Sequence, residues 1–232
     1  MGQVRTIGAL VTMNGVLAAG VGAGAVLGRR RGRNLTVGPA FDAALAVAGV
    51  RVNATGTEHL RAPRPAIFAF NHQSNLDPLV VFKLVRRDFT STGKAEVRKD
   101  PAAAFTAYAI DAVLIDRKDP EKARAQMEVA AQRLLDGDSV LIAPEGTRNM
   151  GPEPGAYKTG TIHLAITTRA PIIPVILRNT GELMPGRAIA PGTVDVHVHA
   201  PWFTDDWKPA DARKHAAALQ EQATETIRNW PA

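Results

Sequence analysis

Three apolar runs of strand length each stop abruptly at a polar cluster. "AIFAF" (66–70) ends at "NHQSNLD" (71–77), "AVLI" (112–115) at "DRKDP" (116–120), and "SVLIA" (139–143) at "PEGTRN" (144–149). Short apolar runs bounded by turn residues suit strands buried on both faces. In sheets of that kind, reactive groups collect where loops leave the C-terminal ends of the strands. The repetition constrains the chain more than any single cluster does. It predicts a helix-covered sheet with its chemistry along one edge.

The remaining segments agree. "VRVNATG", "PIIPVIL" and "VDVHVHA" read as further strands, the last half-buried because it alternates. Helical patterns fill the gaps: "LTVGPAFDAALAVAGV" closing at Gly49, "PLVVFKLVRR", "DPAAAFTAYAI", "PEKARAQMEVAAQRLLDG" between Pro120 and Gly137, and "PADARKHAAALQEQATETIRN". The expected fold is α/β, a single domain over 49–232 with a mostly buried mixed sheet flanked by helices. An N-terminal hydrophobic helical segment over 1–48 precedes it.

From Ile7 to Gly28 that segment carries no charge, and "RRRGR" (29–33) follows at once. Its length suits a bilayer span, but Asn14, Thr12 and many glycines weaken it, which favours shallow insertion over spanning. Gly20, Gly24 and Gly28 fall at GxxxG spacing, which lets helices pack closely. A cleavable signal with "AGA" (23–25) as its site and an ordinary core helix are the alternatives. The arginines just past such a cut would resist translocation. The net charge of +6 favours an anionic partner. Aromatic residues make up 5% of the chain, and no basic helix carries stacking aromatics, which argues against nucleic acid. Anionic membrane lipid or a phosphorylated small molecule fits better.

In "NHQSNLD", His72 and Asp77 lie five positions apart, which on one helix would set them about 140° apart. Pro78 places a helix start here, with His72 in the turn before it and Ser74 or Asp77 near its N-terminus. A bend would bring the carboxylate onto the imidazole. A histidine so held is a general base. The pair could equally satisfy only each other and the helix end. Cysteine is absent, and "GDSVL" around Ser139 fails as a nucleophile elbow, so the base would act on a bound hydroxyl or on water. Arg148 in "PEGTR", Arg117 and Lys94 could converge on one anion, with Glu145 orienting Arg148 or a substrate hydroxyl beside the Gly146 turn. His197 and His199 share a strand face but lack a third metal ligand. His163, on an apolar helical face, reads as a core histidine.

These segments resemble the glycerolipid acyltransferases, the family typified by bacterial 1-acylglycerol-3-phosphate acyltransferases. "NHQSNLD" is similar to its N-H-x(4)-D motif, "AVLIDR" to its second motif and "APEGTR" to its F-P-E-G-T-R. "GKAEV", "YKTGTIHLA" and "APIIPVIL" follow the family pattern in order, so the likeness spans residues 66 to about 180. The resemblance implies that His72 deprotonates the free hydroxyl of lysophosphatidic acid, which attacks the thioester of acyl-CoA or acyl carrier protein directly. It implies that Asp77 orients His72, that Lys94, Arg117 and Arg148 meet the acceptor phosphate, and that Glu145, Gly146 and Thr147 shape the acceptor site. It implies no metal and no cofactor beyond the acyl donor, and a place on the cytoplasmic face of the cell inner membrane. Two departures bear on the acceptor: Ala143 replaces a usual phenylalanine, and Thr159 a common lysine. Glycerol-3-phosphate, another lysophospholipid or a glycolipid are alternative acceptors. A thioesterase and a non-catalytic lipid-binding protein are the alternative functions.

Overall fold

A computed structural model describes residues 2–61, 63–151 and 153–230. Seven strands form its sheet: β1 (Val50–Thr55), β2 (Ile67–Phe70), β3 (Phe89–Lys94), β4 (Val113–Ile115), β5 (Ser139–Ile142), β6 (Ile172–Arg178) and β7 (Gly192–Val198). Their order is β1-β7-β6-β2-β5-β3-β4. From β6 to β4 all neighbours are parallel, whereas β7 runs antiparallel to β6 and carries β1 parallel to itself. The sheet is therefore mixed, and the C-terminal ends of β2, β3, β4 and β5 share one edge.

Alternation along β2 shows how the layers are built. Phe68 and Phe70 enter a core with Phe41, Leu45, Leu76, Val80 and Phe82, while Ile67 and Ala69 enter another with Leu134, Ile162, Leu164 and Leu219. The first layer holds α1 (Gly2–Leu27), α2 (Arg29–Ala48) and α3 (Leu76–Val85). The second holds α5 (Pro120–Leu135), α6 (Gly160–Thr168) and α8 (Ala212–Arg228). The shorter helices α4 (Pro101–Ala109) and α7 (Thr180–Leu183) complete the fold. Asp100 and Asp119 each cap a following helix that has proline in its first turn.

Several local readings change. β3 lies in "DFTSTGK", a stretch too polar to read as a strand. It is an interior strand nonetheless, because Thr90 and Ser91 are buried with their hydroxyls donating to the carbonyls of Asp111 (2.7 Å) and Leu141 (3.3 Å). β4, expected to be buried, is the edge strand, with only Val113 fully covered. α2 begins at Arg29 and continues through Pro39 to a left-handed Gly49. An internal proline costs about 3 kcal/mol, which burial of Val37, Ala40, Phe41, Ala44 and Leu45 offsets. His163 is exposed, because α6 turns Thr161, Ile162, Leu164 and Ala165 inward instead.

α1 is 26 residues long with a mean hydropathy of 1.8 over its best window, long and apolar enough to cross a membrane. One flank is taken: Thr6, Ala9, Met13, Leu17, Gly20 and Gly24 pack inward, mainly on α2. Val4, Ile7, Val11 and Val26 stay exposed on the other. The glycines make the seam, since a Cβ on Gly32 would strike the backbone of Gly20 and Gly24. The arginine cluster divides. Arg30 meets Asp88 (2.9 Å) and Asp138 (3.3 Å), and buried Arg33 meets Asp138 at 2.7 Å. Arg29 is largely exposed near Asp111, and Arg31 is exposed.

On β7, His197 Nδ1 bonds Thr55 Oγ1 (2.8 Å) and His199 Nε2 bonds Thr226 Oγ1 (2.8 Å). Burial, then each other's company and that of His59, pushes the His199 pKa down to about 4; burial and His59 also lower His197, with Glu58 opposing. The His199 contribution is therefore full above the unfolded histidine value near pH 6.5 and is lost as pH falls toward 4, and His197 is shifted in the same direction. Thermal unfolding of the wild type should show that acid loss, on the order of 1–2 kcal/mol after screening at a half-exposed ring. His199→Gln should show distinctly less of it.

Candidate active site

The first polar cluster folds as a bend closed by one carboxylate. Asp77 is fully buried, and its Oδ2 accepts from Gln73 N (2.7 Å) and Ser74 N (2.8 Å) and pairs with His72 Nδ1 (2.8 Å). α3 starts at Leu76, whose N–H is taken by Ser74 Oγ at 2.9 Å. Asp77 is thus helical despite preceding Pro78, and Ser74 serves the first turn from just outside it. Asn71 holds the incoming strand: its amide donates to Leu177 O (2.9 Å) and accepts from Leu177 N (2.7 Å) on β6.

Two backbone bonds fix His72 from the β5 side. Its N–H donates to Glu145 Oε1 (2.7 Å), and its carbonyl accepts from Asn149 N (2.8 Å). The other Glu145 oxygen accepts from Gly155 N at 2.8 Å. Glu145 therefore orients main chain rather than Arg148, and it is 3% exposed. Burial pushes its pKa up, opposed by the hydrogen bonds from His72 and Gly155. Gly146 takes the left-handed turn at φ 70 that lets β5 break into this loop.

The sequence-predicted cations reach the same edge. Lys94 closes β3, Arg117 follows β4 and Arg148 follows β5, three strands side by side in the sheet, and all three side chains are exposed, as is Thr147. Among the described residues, none of the three cations has a carboxylate partner within ion-pair distance. The neighbouring protein lowers the Arg117 pKa, with Glu96 opposing; the guanidinium remains charged at neutral pH. Lys158 was missed as a fourth cation. Its side chain lies against Gly146, about 3.0 Å from where a Cβ would stand, and its N–H donates to Pro144 O. The lysine of "YKTGT" was the available signal. Thr159 follows as the N-cap position of α6.

With Nδ1 turned to Asp77, the His72 ring presents Nε2, which has no hydrogen-bond partner among the described residues. A base at a sheet edge, a buried carboxylate behind it and unpaired cations on the adjoining loops can take a proton from a substrate hydroxyl while an anion is held nearby.

Fold and motif together define an H-x(4)-D protein of the α/β acyltransferase type, and residues 51–178 match the family model described as Acyltransferase. The chain belongs to that family. It is similar to the 1-acyl-sn-glycerol-3-phosphate acyltransferase alpha of Mus musculus, 31% identical over 167 residues covering 70% of this chain and 59% of the relative. The 1-acyl-sn-glycerol-3-phosphate acyltransferase of Borreliella burgdorferi is 27% identical over 168 residues, 72% of this chain and 67% of that one. The match thus spans about three-fifths of the mouse protein's length and two-thirds of the Borreliella one's. The crystal structure of the 1-acyl-sn-glycerophosphate acyltransferase from Thermotoga maritima shares the fold with a TM-score of 0.76 at 20% identity, covering 100% of both chains.

Proposed function

We propose that this protein is an O-acyltransferase that moves a fatty acyl group from acyl-CoA or acyl carrier protein to the free hydroxyl of lysophosphatidic acid, giving phosphatidic acid. The observation that carries the reading is His72 Nδ1 held at 2.8 Å by a fully buried Asp77. His72 Nε2 takes the acceptor's hydroxyl proton as its oxygen attacks the thioester carbonyl. The tetrahedral oxyanion collapses, the C–S bond breaks, and the departing thiolate takes the proton back from the imidazolium. No acyl-enzyme forms, and the donor, acceptor and His72 complete the chemistry without a metal. Lys94, Arg117 and Arg148 hold the acceptor phosphate, and Gly146 and Thr147 line its approach. Residues 1–48 are the membrane-associating part and 49–232 the acyltransferase domain. The exposed flank of α1 lies in the cytoplasmic leaflet of the cell inner membrane, with Arg29 and Arg31 toward anionic headgroups.

Release of free CoA from palmitoyl-CoA by the purified protein in detergent tests this. Release should require lysophosphatidic acid and yield phosphatidic acid. Release without acceptor would make the protein a thioesterase. Silence across several acceptors and both donor types would leave a non-catalytic lipid-binding protein.

A further inference from the structure

We infer that Glu145 is a positioning residue for His72, acting through the main chain, and is not a contact for the acceptor. This rests on the acyl-transfer reading above. Each carboxylate oxygen is met by a backbone N–H: Oε1 by that of His72 at 2.7 Å, Oε2 by that of Gly155 at 2.8 Å. With 3% of the residue exposed, almost no surface is left for a substrate. The His72 carbonyl is held by Asn149 N, four residues along the same loop. The peptide groups flanking the base are thus clasped by one loop, while Asp77 holds the ring.

That loop is tied down in its own right. Asn149 Oδ1 accepts from Gly151 N (3.2 Å) and its Nδ2 donates to Glu153 O (2.7 Å), while Gln73 Nε2 reaches Gly151 O (3.3 Å). Glu153 pairs with Arg228 of α8 at 2.7 Å. A chain so folded presents the Gly155 N–H to Glu145. A side chain at 155 would close the space, since a Cβ there would stand 3.0 Å from Glu145 Oε2.

The folded-state pKa of Glu145 is raised, so this group's contribution is full below the unfolded carboxyl value near 4.5 and is lost as pH rises through the folded value. The carboxylate spans the N–H of the base and that of Gly155, so it sets where the His72 backbone sits. Displacing a reacting group by about 1 Å can cost about 100-fold in rate.

The test compares the full-length wild type, Glu145→Gln and Gly155→Ala by initial rates over a range of lysophosphatidic acid, and by hydrogen exchange at the His72 and Gly155 amides. A glutamine offers one accepting oxygen for two N–H donors, so one of them must lose its bond. Glu145→Gln should lower kcat about 10- to 100-fold, leave the acceptor KM within about twofold, and speed exchange at whichever of these amides loses its bond. Gly155→Ala should lower kcat and speed exchange by less, with the acceptor KM again retained. An acceptor KM raised about tenfold with kcat retained would overturn the proposal and make Glu145 a substrate contact. Unchanged exchange at both the His72 and Gly155 amides in Glu145→Gln would overturn it too. The exchange measurement stands even if the wild type transfers no acyl group, a result that would sink the enzymatic reading instead.

Discussion

His72→Ala is expected to lower acceptor-dependent acyl transfer by about 10²- to 10⁴-fold, the usual worth of a general base. Asp77→Asn should cost less, and the reason lies in the geometry. Oδ2 serves three donors, His72 Nδ1, Gln73 N and Ser74 N, whereas Oδ1 is buried with no partner among the described residues. An asparagine oxygen can therefore occupy the Oδ2 position and keep all three, with its NH₂ group in the unpartnered place. Ring orientation and tautomer survive. What disappears is a full negative charge at hydrogen-bond distance from the imidazolium, worth about 10- to 1000-fold in rate. Asp77→Ala should be worse than either in stability, because it strips two backbone N–H groups and the ring of their acceptor, at about 1–3 kcal/mol for each buried group left unsatisfied. Rates against lysophosphatidic acid, taken beside thermal unfolding, separate the three variants. An Asp77→Asn enzyme as slow as His72→Ala would show that the tautomer had flipped.

Arg33→Met is expected to destabilise the protein by about 3–5 kcal/mol, the usual effect of removing one partner from a buried ion pair. Arg33 is 7% exposed and donates to Asp138 at 2.7 Å, with Asp111 at 3.8 Å. Asp138, itself 6% exposed, would keep, among the described residues, the single cation Arg30 at 3.3 Å. The double variant Arg33→Met, Asp138→Leu should recover much of the loss, since a buried pair replaced by apolar groups is often neutral or better. Chemical denaturation of the single and double variants measures this directly. A single variant within about 0.5 kcal/mol of wild type would mean that water already screens the pair.

The His72–Asp77 pair was legible because its parts lie within one turn of chain and a proline marks the bend. The clasp on His72 was not. Its donors are backbone N–H groups of His72, Asn149 and Gly155, which every residue but proline carries and no motif spells out. β3 was invisible for a related reason, since Thr90 and Ser91 are buried by hydrogen bonding rather than by apolarity. The ion pairs of the arginines at 29–33 were hidden because their carboxylates lie far along the chain, at 88, 111 and 138. The alternation of helices and apolar strands needed no such long-range knowledge, and it carried the fold.

The glycine seam between α1 and α2 has a mechanical consequence. α1 is locked to α2, α2 packs on α3, and α3 begins four residues after His72. One continuous core runs from Ala9 through Phe41 and Leu76 to Val198. With α1 embedded in a leaflet, the tilt of that single helix would set the height of the His72 ring above the acyl chains, as a rigid outrigger sets the trim of a hull. A lysophospholipid would then have to bring its hydroxyl to that height.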